Sequence, residues 1–142
     1  MANDFRVTDA RANAAMDALF GTTANSGILR IYSGALSAGT PATPAGDLLA
    51  ELTMNASAFG AAAPSTSYSR ITAAAITDDS SANAAGTAGC FVLFASNGTT
   101  ALAAGTVGTA SCDMTIDNTT IAAGANVSCS AFYVQMPKGW SS

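Results

Sequence analysis

Carboxylates are the side chains best suited to chemistry in this sequence, which has nine Asp and Glu, five Lys and Arg, and no histidine. Without histidine, the Ser-His-Asp and Cys-His arrangements of nucleophilic enzymes are excluded. Asp78 and Asp79 are adjacent and could offer calcium one carboxylate from a turn, but EF-hand spacing is absent and solvated turn residues are favoured. Asp113 and Asp117 would lie about 13 Å apart on an extended strand, too far for paired acid–base catalysis. We predict no enzyme activity and no catalytic, metal-binding or cofactor-binding residue.

Thiols are the other reactive groups. Cys90, Cys112 and Cys129 are too widely spaced to form a C-x-x-C zinc motif. Each lies in an apolar, strand-like run, where a reduced cysteine packs as a small hydrophobic side chain. The first residues lack the basic and apolar segments of a signal peptide, so we expect synthesis in the cytoplasm, where thiols stay reduced. The sequence therefore predicts buried, free thiols rather than a disulfide.

Charge is scarce and unevenly placed. Charged residues make up 10% of the chain, against roughly 25% in ordinary soluble domains. Segments 80–112 and 118–137 contain none, which favours a surface covered by oligomerisation or a partner over a plain Ser/Thr-rich β domain. No apolar run is long enough to span a membrane. Nucleic acid is an unsuitable partner because the basic residues are few and scattered: Arg6, Arg11, Arg30, Arg70 and Lys138.

One amphipathic helix is predicted at residues 8–20, with Thr8 as its N-cap and Gly21 just past its end. Its apolar positions, at helical spacing, are Ala12, Ala15, Met16 and Leu19. Such a helix could pack on the protein's own sheet or dock on a neighbouring subunit, and the sequence favours neither.

The remainder of the chain is predicted to be organised around a hairpin at residues 86–107. Its first strand, 90–95, is apolar on both faces and is expected to be central. Asn97-Gly98 predicts a type I′ turn, followed by a second strand at 99–105.

Further strands are expected on either side of this hairpin. On strand 47–55 the inward residues are predicted to be Leu48, Ala50, Leu52 and Met54. In the last strand the apolar residues change phase, which predicts a bulge near Ser130 and Ala131. Phe59, in a turn-like stretch, is expected to plug the edge of the core. The predicted strands are 27–33, 47–55, 66–77, 111–117 and 126–136.

These elements predict a mainly β fold: an antiparallel β-sandwich of about seven to eight strands, jelly-roll or immunoglobulin-like, with one N-terminal helix. We expect a single domain over residues 1–142, with an N-terminal arm and helix at 1–21 and the sandwich at 27–136. A tail at 137–142 contains Trp140, which could cover its own core or anchor on a neighbour. The long Pro/Gly loop at 34–46 is a candidate contact loop.

The order of elements resembles a family of small virion structural proteins of tailed bacteriophages. An alanine-rich helix precedes GILRIYSG (27–34), a Pro/Ala/Gly loop, DLLAELTM (47–54), AAAITDDSSANAAGTAGCFVLFASNGTT (73–100) and the run at 105–137. The resemblance implies a capsid decoration (cement) protein, made in the host cytoplasm and located on the capsid surface of the virion. It implies the major capsid protein and copies of the chain itself, often as a homotrimer, as partners.

Two other non-enzymatic functions remain open. One is a tail or head–tail connector component with the same fold. The other is a carbohydrate-binding adhesin module, which needs exposed aromatic side chains in a shallow groove, whereas Tyr32, Tyr68, Tyr133 and Trp140 are scattered in the sequence. The candidate contact regions are the uncharged segment 80–112, the N-terminal helix and the terminal tails.

Overall fold

The computed structural model describes residues 6–36 and 44–137. The N-terminal arm at 1–5, much of the predicted contact loop at 37–43 and the tail from 138 onward, with Trp140, lie outside the described residues. The elements, in chain order, are α1 (Asp9–Phe20), β1 (Ile28–Ser33), β2 (Leu48–Thr53), β3 (Ala63–Pro64), β4 (Tyr68–Thr72), β5 (Gly86–Phe94), β6 (Ala101–Gly108), β7 (Met114–Ile116), β8 (Thr120–Ile121) and β9 (Cys129–Pro137).

The prediction of a mainly β fold with one helix is confirmed for the described residues. The strands form one open hydrogen-bonded sheet in the order β2-β1-β5-β6-β7-β9-β4-β3, with β8 pairing to β5. All neighbours are antiparallel except β6 and β7, which are parallel. The two separate sheets of a sandwich stay a prediction, because the strands are linked along a single path.

This sheet is strongly curled. Phe91 on β5 and Phe132 on β9 have ring centroids 5.2 Å apart. In a flat sheet these two strands would be separated by three strand spacings, about 14 Å. The curl therefore brings the two halves of the sheet together around one hydrophobic core, in which Leu29, Ile71 and Met114 are fully buried.

The central hairpin is confirmed, but its turn is not type I′. Residues Cys90 to Phe94 are all buried, as expected for a central strand. The connection to β6 is a longer loop in which the Asn97 side-chain oxygen accepts the main-chain N–H groups of Thr99 and Thr100, each at 2.9 Å. Within this loop, Gly98 alone has a positive φ, of 71°. The Asn97 side chain closes the loop, so the second positive φ of a type I′ turn is not needed.

The sequence predicted the wrong core-facing residue at the start of β2. Leu49 is fully buried, whereas Leu48 is only half-buried. Ile31 pairs with Ala50 but Tyr32 pairs with Leu48, so Leu49 is an extra residue at a β-bulge. A bulge shifts the alternation by one residue, which turns Leu49 into the core. There it lies against Gly86, where a Cβ atom would come within 2.9 Å of a Leu49 methyl group.

The predicted bulge in the last strand is confirmed. Thr115 pairs with Ala131 and Ile116 with Cys129, which leaves Ser130 as the extra residue on β9. The strand predicted at 66–77 is too long, because beyond Thr72 the chain makes only isolated bridges.

The helix packs on its own chain, against β3 and β4. Its N-cap is Thr8, as predicted, but its buried residues are Ala12, Met16 and Phe20. Ala12 and Met16 were predicted correctly, whereas Ala15 and Leu19 are exposed and Phe20 is buried instead. Phe20 contacts Phe59 at 5.6 Å between ring centroids, and Phe59 is buried at the core edge as expected.

The end of α1 also differs from the prediction. Gly21 is the C-cap in right-handed conformation, and its N–H donates to the Asp17 carbonyl at 2.7 Å. In the part of the chain that the structure describes, no helix has the length and hydropathy needed to cross a membrane.

Candidate interaction site

The adjacent carboxylates at 78 and 79 tie the turn to neighbouring elements rather than forming a shared site. Asp79 Oδ2 accepts the main-chain N–H of Glu51 at 2.9 Å, which fastens the turn to β2. Asp78 Oδ2 accepts the Ser128 hydroxyl at 2.6 Å and the Asn126 amide at 3.3 Å. These two donors lower the pKa of Asp78 below its ordinary value. Asp78 is exposed and Asp79 half-buried, so both stay at the surface of the turn while they make these hydrogen bonds within the chain.

Asp113 also has a structural position. Its Oδ2 accepts the main-chain N–H of Thr106 at 2.9 Å and the Thr106 hydroxyl at 3.0 Å. Asp117 is exposed and follows the C-terminal end of the short strand β7, whereas Asp113 precedes its N-terminal end. Among the described residues, no group of three or more His, Cys, Asp or Glu side chains is placed to hold a metal ion.

All three cysteines are free thiols, as predicted. Cys90 is fully buried, whereas Cys112 and Cys129 are half-buried, so the prediction of burial holds completely only for Cys90. Burial is the main cause that raises the pKa of Cys129 to about 11. The Cys112 thiol contacts the Met114 carbonyl oxygen at 3.0 Å. Burial also raises the pKa of Cys90, so Cys90 and Cys129 are protonated packing groups rather than nucleophiles.

The hairpin turn, a candidate contact region, is held by β1. Arg30 donates from Nη1 to the Gly98 carbonyl at 3.0 Å and from Nε to Glu51 Oε2 at 2.6 Å. The bond to Glu51 is the main cause that raises the pKa of Arg30. The Arg30 guanidinium also lies 4.8 Å from the centroid of the Phe94 ring. The turn is thus a preorganised surface loop.

A gap in the sheet separates β6 from β9 on one side of β7. It forms a depression of about 320 Å³. Ala103 and Ala104 line it from β6, and β9 lines it from the opposite side with Tyr133, Val134 and Gln135. We call this depression the β6–β9 gap. Both bordering strands belong to the charge-free segments of the sequence, so the two segments meet across it.

Next to this gap, two tyrosines flank an arginine. The Arg70 guanidinium lies 4.3 Å from the Tyr133 ring centroid and 5.4 Å from that of Tyr68. Tyr133 is 40% exposed, and we call these three residues the Tyr-Arg-Tyr cluster. The expectation of scattered aromatics is wrong for Tyr68 and Tyr133. The alternation of Tyr68 and Arg70 on one strand was visible in the sequence, but the pairing of β4 with β9 was not.

Comparison with known proteins identifies no relative of this chain. No family model matches the chain, and no curated protein or solved structure is significantly similar to it.

Proposed function

We propose that this chain is a non-enzymatic structural protein of a tailed-bacteriophage virion: a capsid decoration protein that binds the outer shell and bridges major capsid protein subunits. The observation that supports this proposal is the uncharged surface of β6 and β9 on either side of β7. A surface without charges loses little hydration free energy when a partner covers it, because no ion must be desolvated.

The physical demand on a decoration protein is resistance to the outward pressure of packaged DNA. Apolar and hydrogen-bonding contacts spread over several subunits meet that demand, and no reaction is required. Consistent with this, the carboxylates of Asp78, Asp79 and Asp113 are used in internal hydrogen bonds. Assembly as a homotrimer would multiply the contacts that each particle-bound unit makes.

The direct test mixes the purified protein with shells assembled from the major capsid protein of the same phage. We expect co-sedimentation at saturable stoichiometry and density on the outer shell in electron micrographs. Density on the tail or at the head–tail junction would replace this proposal with the connector function. A stable monomer that does not bind shells, together with virions that lack the chain, would refute it.

A pair of variants tests which surface makes the contact. Ala131 is exposed on β9, so Ala131→Glu places a charge on the uncharged face without disturbing the core. We expect it to weaken shell binding at least about tenfold, because the carboxylate must be desolvated or left unpaired. Ala56→Glu adds the same charge at an exposed position in the connection after β2 and should bind shells as the wild type does.

A second candidate function is carbohydrate binding, which the Tyr-Arg-Tyr cluster favours. Exposed aromatic rings beside a hydrogen-bonding cation are suited to stack on and to orient a sugar ring. A glycan array gives the test: hits with the wild type that disappear with Tyr133→Ala but persist with Tyr32→Ala would support it. An array without hits would exclude this function for the glycans tested.

A further inference from the structure

The short strand β7 fills only one end of the space between β6 and β9. It pairs with Val107 and Gly108 on β6, and with residues between Cys129 and Phe132 on β9. Where β7 lies between them, the two outer strands are two strand spacings apart, about 9.6 Å. The β6–β9 gap continues this space beyond the N-terminal end of β7.

Main-chain groups on the β6 side point into the gap. The N–H of Thr106 points away from β5, because it donates to Asp113 Oδ2 at 2.9 Å beside the gap. Along a strand, alternate residues direct their N–H and C=O groups to the same side. Ala104 therefore also directs its main-chain groups into the gap, while Ala103 pairs with Leu93 of β5.

On the β9 side the same alternation applies. The Phe132 carbonyl accepts the N–H of Ala73 at 3.0 Å, so Phe132 faces β4. Tyr133 and Gln135 consequently direct their main-chain groups to the opposite side. The N–H of Tyr133 belongs to the pairing of β9 with β7, where Met114 lies opposite Phe132, and Gln135 lies beyond it and faces the gap. No strand pairing or other hydrogen bond among the described residues satisfies the gap-facing main-chain groups of Ala104 and Gln135.

The shape and charge of the gap restrict what could occupy it. Its volume of about 320 Å³ corresponds to about two residues of extended chain. Phe91 and Phe132 line its inner part, and Asp113, whose carboxylate is bound to Thr106, is the charged residue of its described lining. Arg70, beside the gap, is stacked on Tyr133. An acidic occupant would be repelled by the Asp113 carboxylate, and a basic one would have to share it with Thr106, so an uncharged segment suits the gap best.

We propose that the β6–β9 gap receives an extended, uncharged segment of a different protein as an added strand in line with β7. Unpaired donors and acceptors on two facing strand edges are matched by a third main chain, which is the chemistry of β-strand addition. A second folded copy offers no suitable segment from its described residues, because each described strand is already paired within its own chain. This inference does not depend on the virion function.

A tethered donor strand tests the proposal without the natural partner. The peptide Thr-Val-Thr-Val-Thr is fused after Ser142 through a Gly/Ser linker of about 15 residues, whose average span is about 20 Å. We expect the fusion to raise Tm by about 4 °C or more, because the added strand binds only the folded state. We also expect at least tenfold slower amide hydrogen exchange at Ala104 and Gln135. The matched control, Thr-Pro-Thr-Pro-Thr on the same linker, lacks the central N–H donors and should change neither.

Two proline variants locate the effect. Ala104→Pro removes a donor that faces the gap and leaves the pairing with β5 intact, so the protein should fold and the tethered strand should give no rise in Tm. Ala103→Pro removes a hydrogen bond to β5 and should lower Tm strongly on its own. No rise in the wild-type fusion, or a rise that persists with Ala104→Pro, would overturn the proposal. So would a loss of amide protection at Ala104 and Gln135 when residues 138–142 are deleted, because that loss would mean that the chain's own tail fills the gap.

Discussion

Asp113 links β6 to β7 through a single carboxylate. Parallel neighbours are ordinarily joined by a long crossover, whereas here residues 109–113 suffice. Gly105 makes room for this carboxylate, because a Cβ atom there would lie 2.8 Å from Asp113 Oδ2. We expect Asp113→Ala to lower the free energy of unfolding by about 1–2 kcal/mol, as is usual when a charge-assisted bond to a main-chain N–H is lost. Urea denaturation measures this change, with the exposed Asp117→Ala as the control that should stay within about 0.5 kcal/mol.

Asp78 gives the molecule an acid-sensitive contact. Ser128 and Asn126 hold its pKa below the ordinary value of 3.8. A carboxyl whose pKa is lower in the folded state stabilises the fold above its unfolded pKa, and this stabilisation is lost as the pH falls through the folded pKa. Below about pH 4, we expect the urea concentration at the unfolding midpoint to decrease as the pH falls. Asp78→Asn should make this decrease less steep. Ser128→Ala removes the stronger donor and should reduce the slope in the same way. An unchanged slope in both variants would contradict this role.

At the scale of elements, α1 docks through its buried face of Ala12, Met16 and Phe20, in which Phe20 makes the aromatic contact. Phe20 is 6% exposed and touches Phe59, which in turn lies 5.8 Å from Phe132 between ring centroids. Phe20→Ala should therefore cost about 3–5 kcal/mol in unfolding free energy. Leu19→Ala removes a neighbouring side chain that is 52% exposed and should cost less than about 0.5 kcal/mol. Thermal or urea unfolding distinguishes the two, and equal losses would show that α1 docks through a different face.

The periodicity of the sequence predicted most of the elements, and its failures have physical causes. The bulge at Ser130 was predictable because the apolar residues change phase there. The bulge at Leu49 was hidden because Leu48, Leu49 and Ala50 are all apolar, so no phase change marks it. On α1, Ala15 and Leu19 fit the helical spacing as well as Met16 does. Tertiary contacts, such as that of Phe20 with Phe59, decide which face is buried.

The candidate interaction site was predictable only in its composition. The lack of charge in segments 80–112 and 118–137 pointed to a covered surface. That these segments meet across the β6–β9 gap depends on the short strand β7 and on the pairing of β4 with β9, which join residues far apart in sequence. Local periodicity carries no information about such partners, since many registers bury the same apolar residues.

At the scale of the whole molecule, the burial of apolar side chains around the curled sheet stabilises the fold, and charged groups contribute little to its stability. The net charge is −4 over 142 residues. The ion pair between Arg30 and Glu51 is partly solvated, with side-chain exposures of 26% and 37%. Ion pairs of this kind contribute about 0–1 kcal/mol and are screened by salt.

Stability and assembly should therefore both be insensitive to salt. Between about 0.05 and 0.5 M NaCl, we expect the Tm to change by less than about 2 °C, because the pair of Arg30 and Glu51 is a weak, partly solvated ion pair. Binding to assembled shells through the uncharged β6 and β9 surface should weaken by less than about threefold over the same range. Differential scanning fluorimetry and co-sedimentation at each salt concentration measure the two quantities. Release from shells at the higher concentration, with an unchanged Tm, would mean that charged residues outside this surface make the contact.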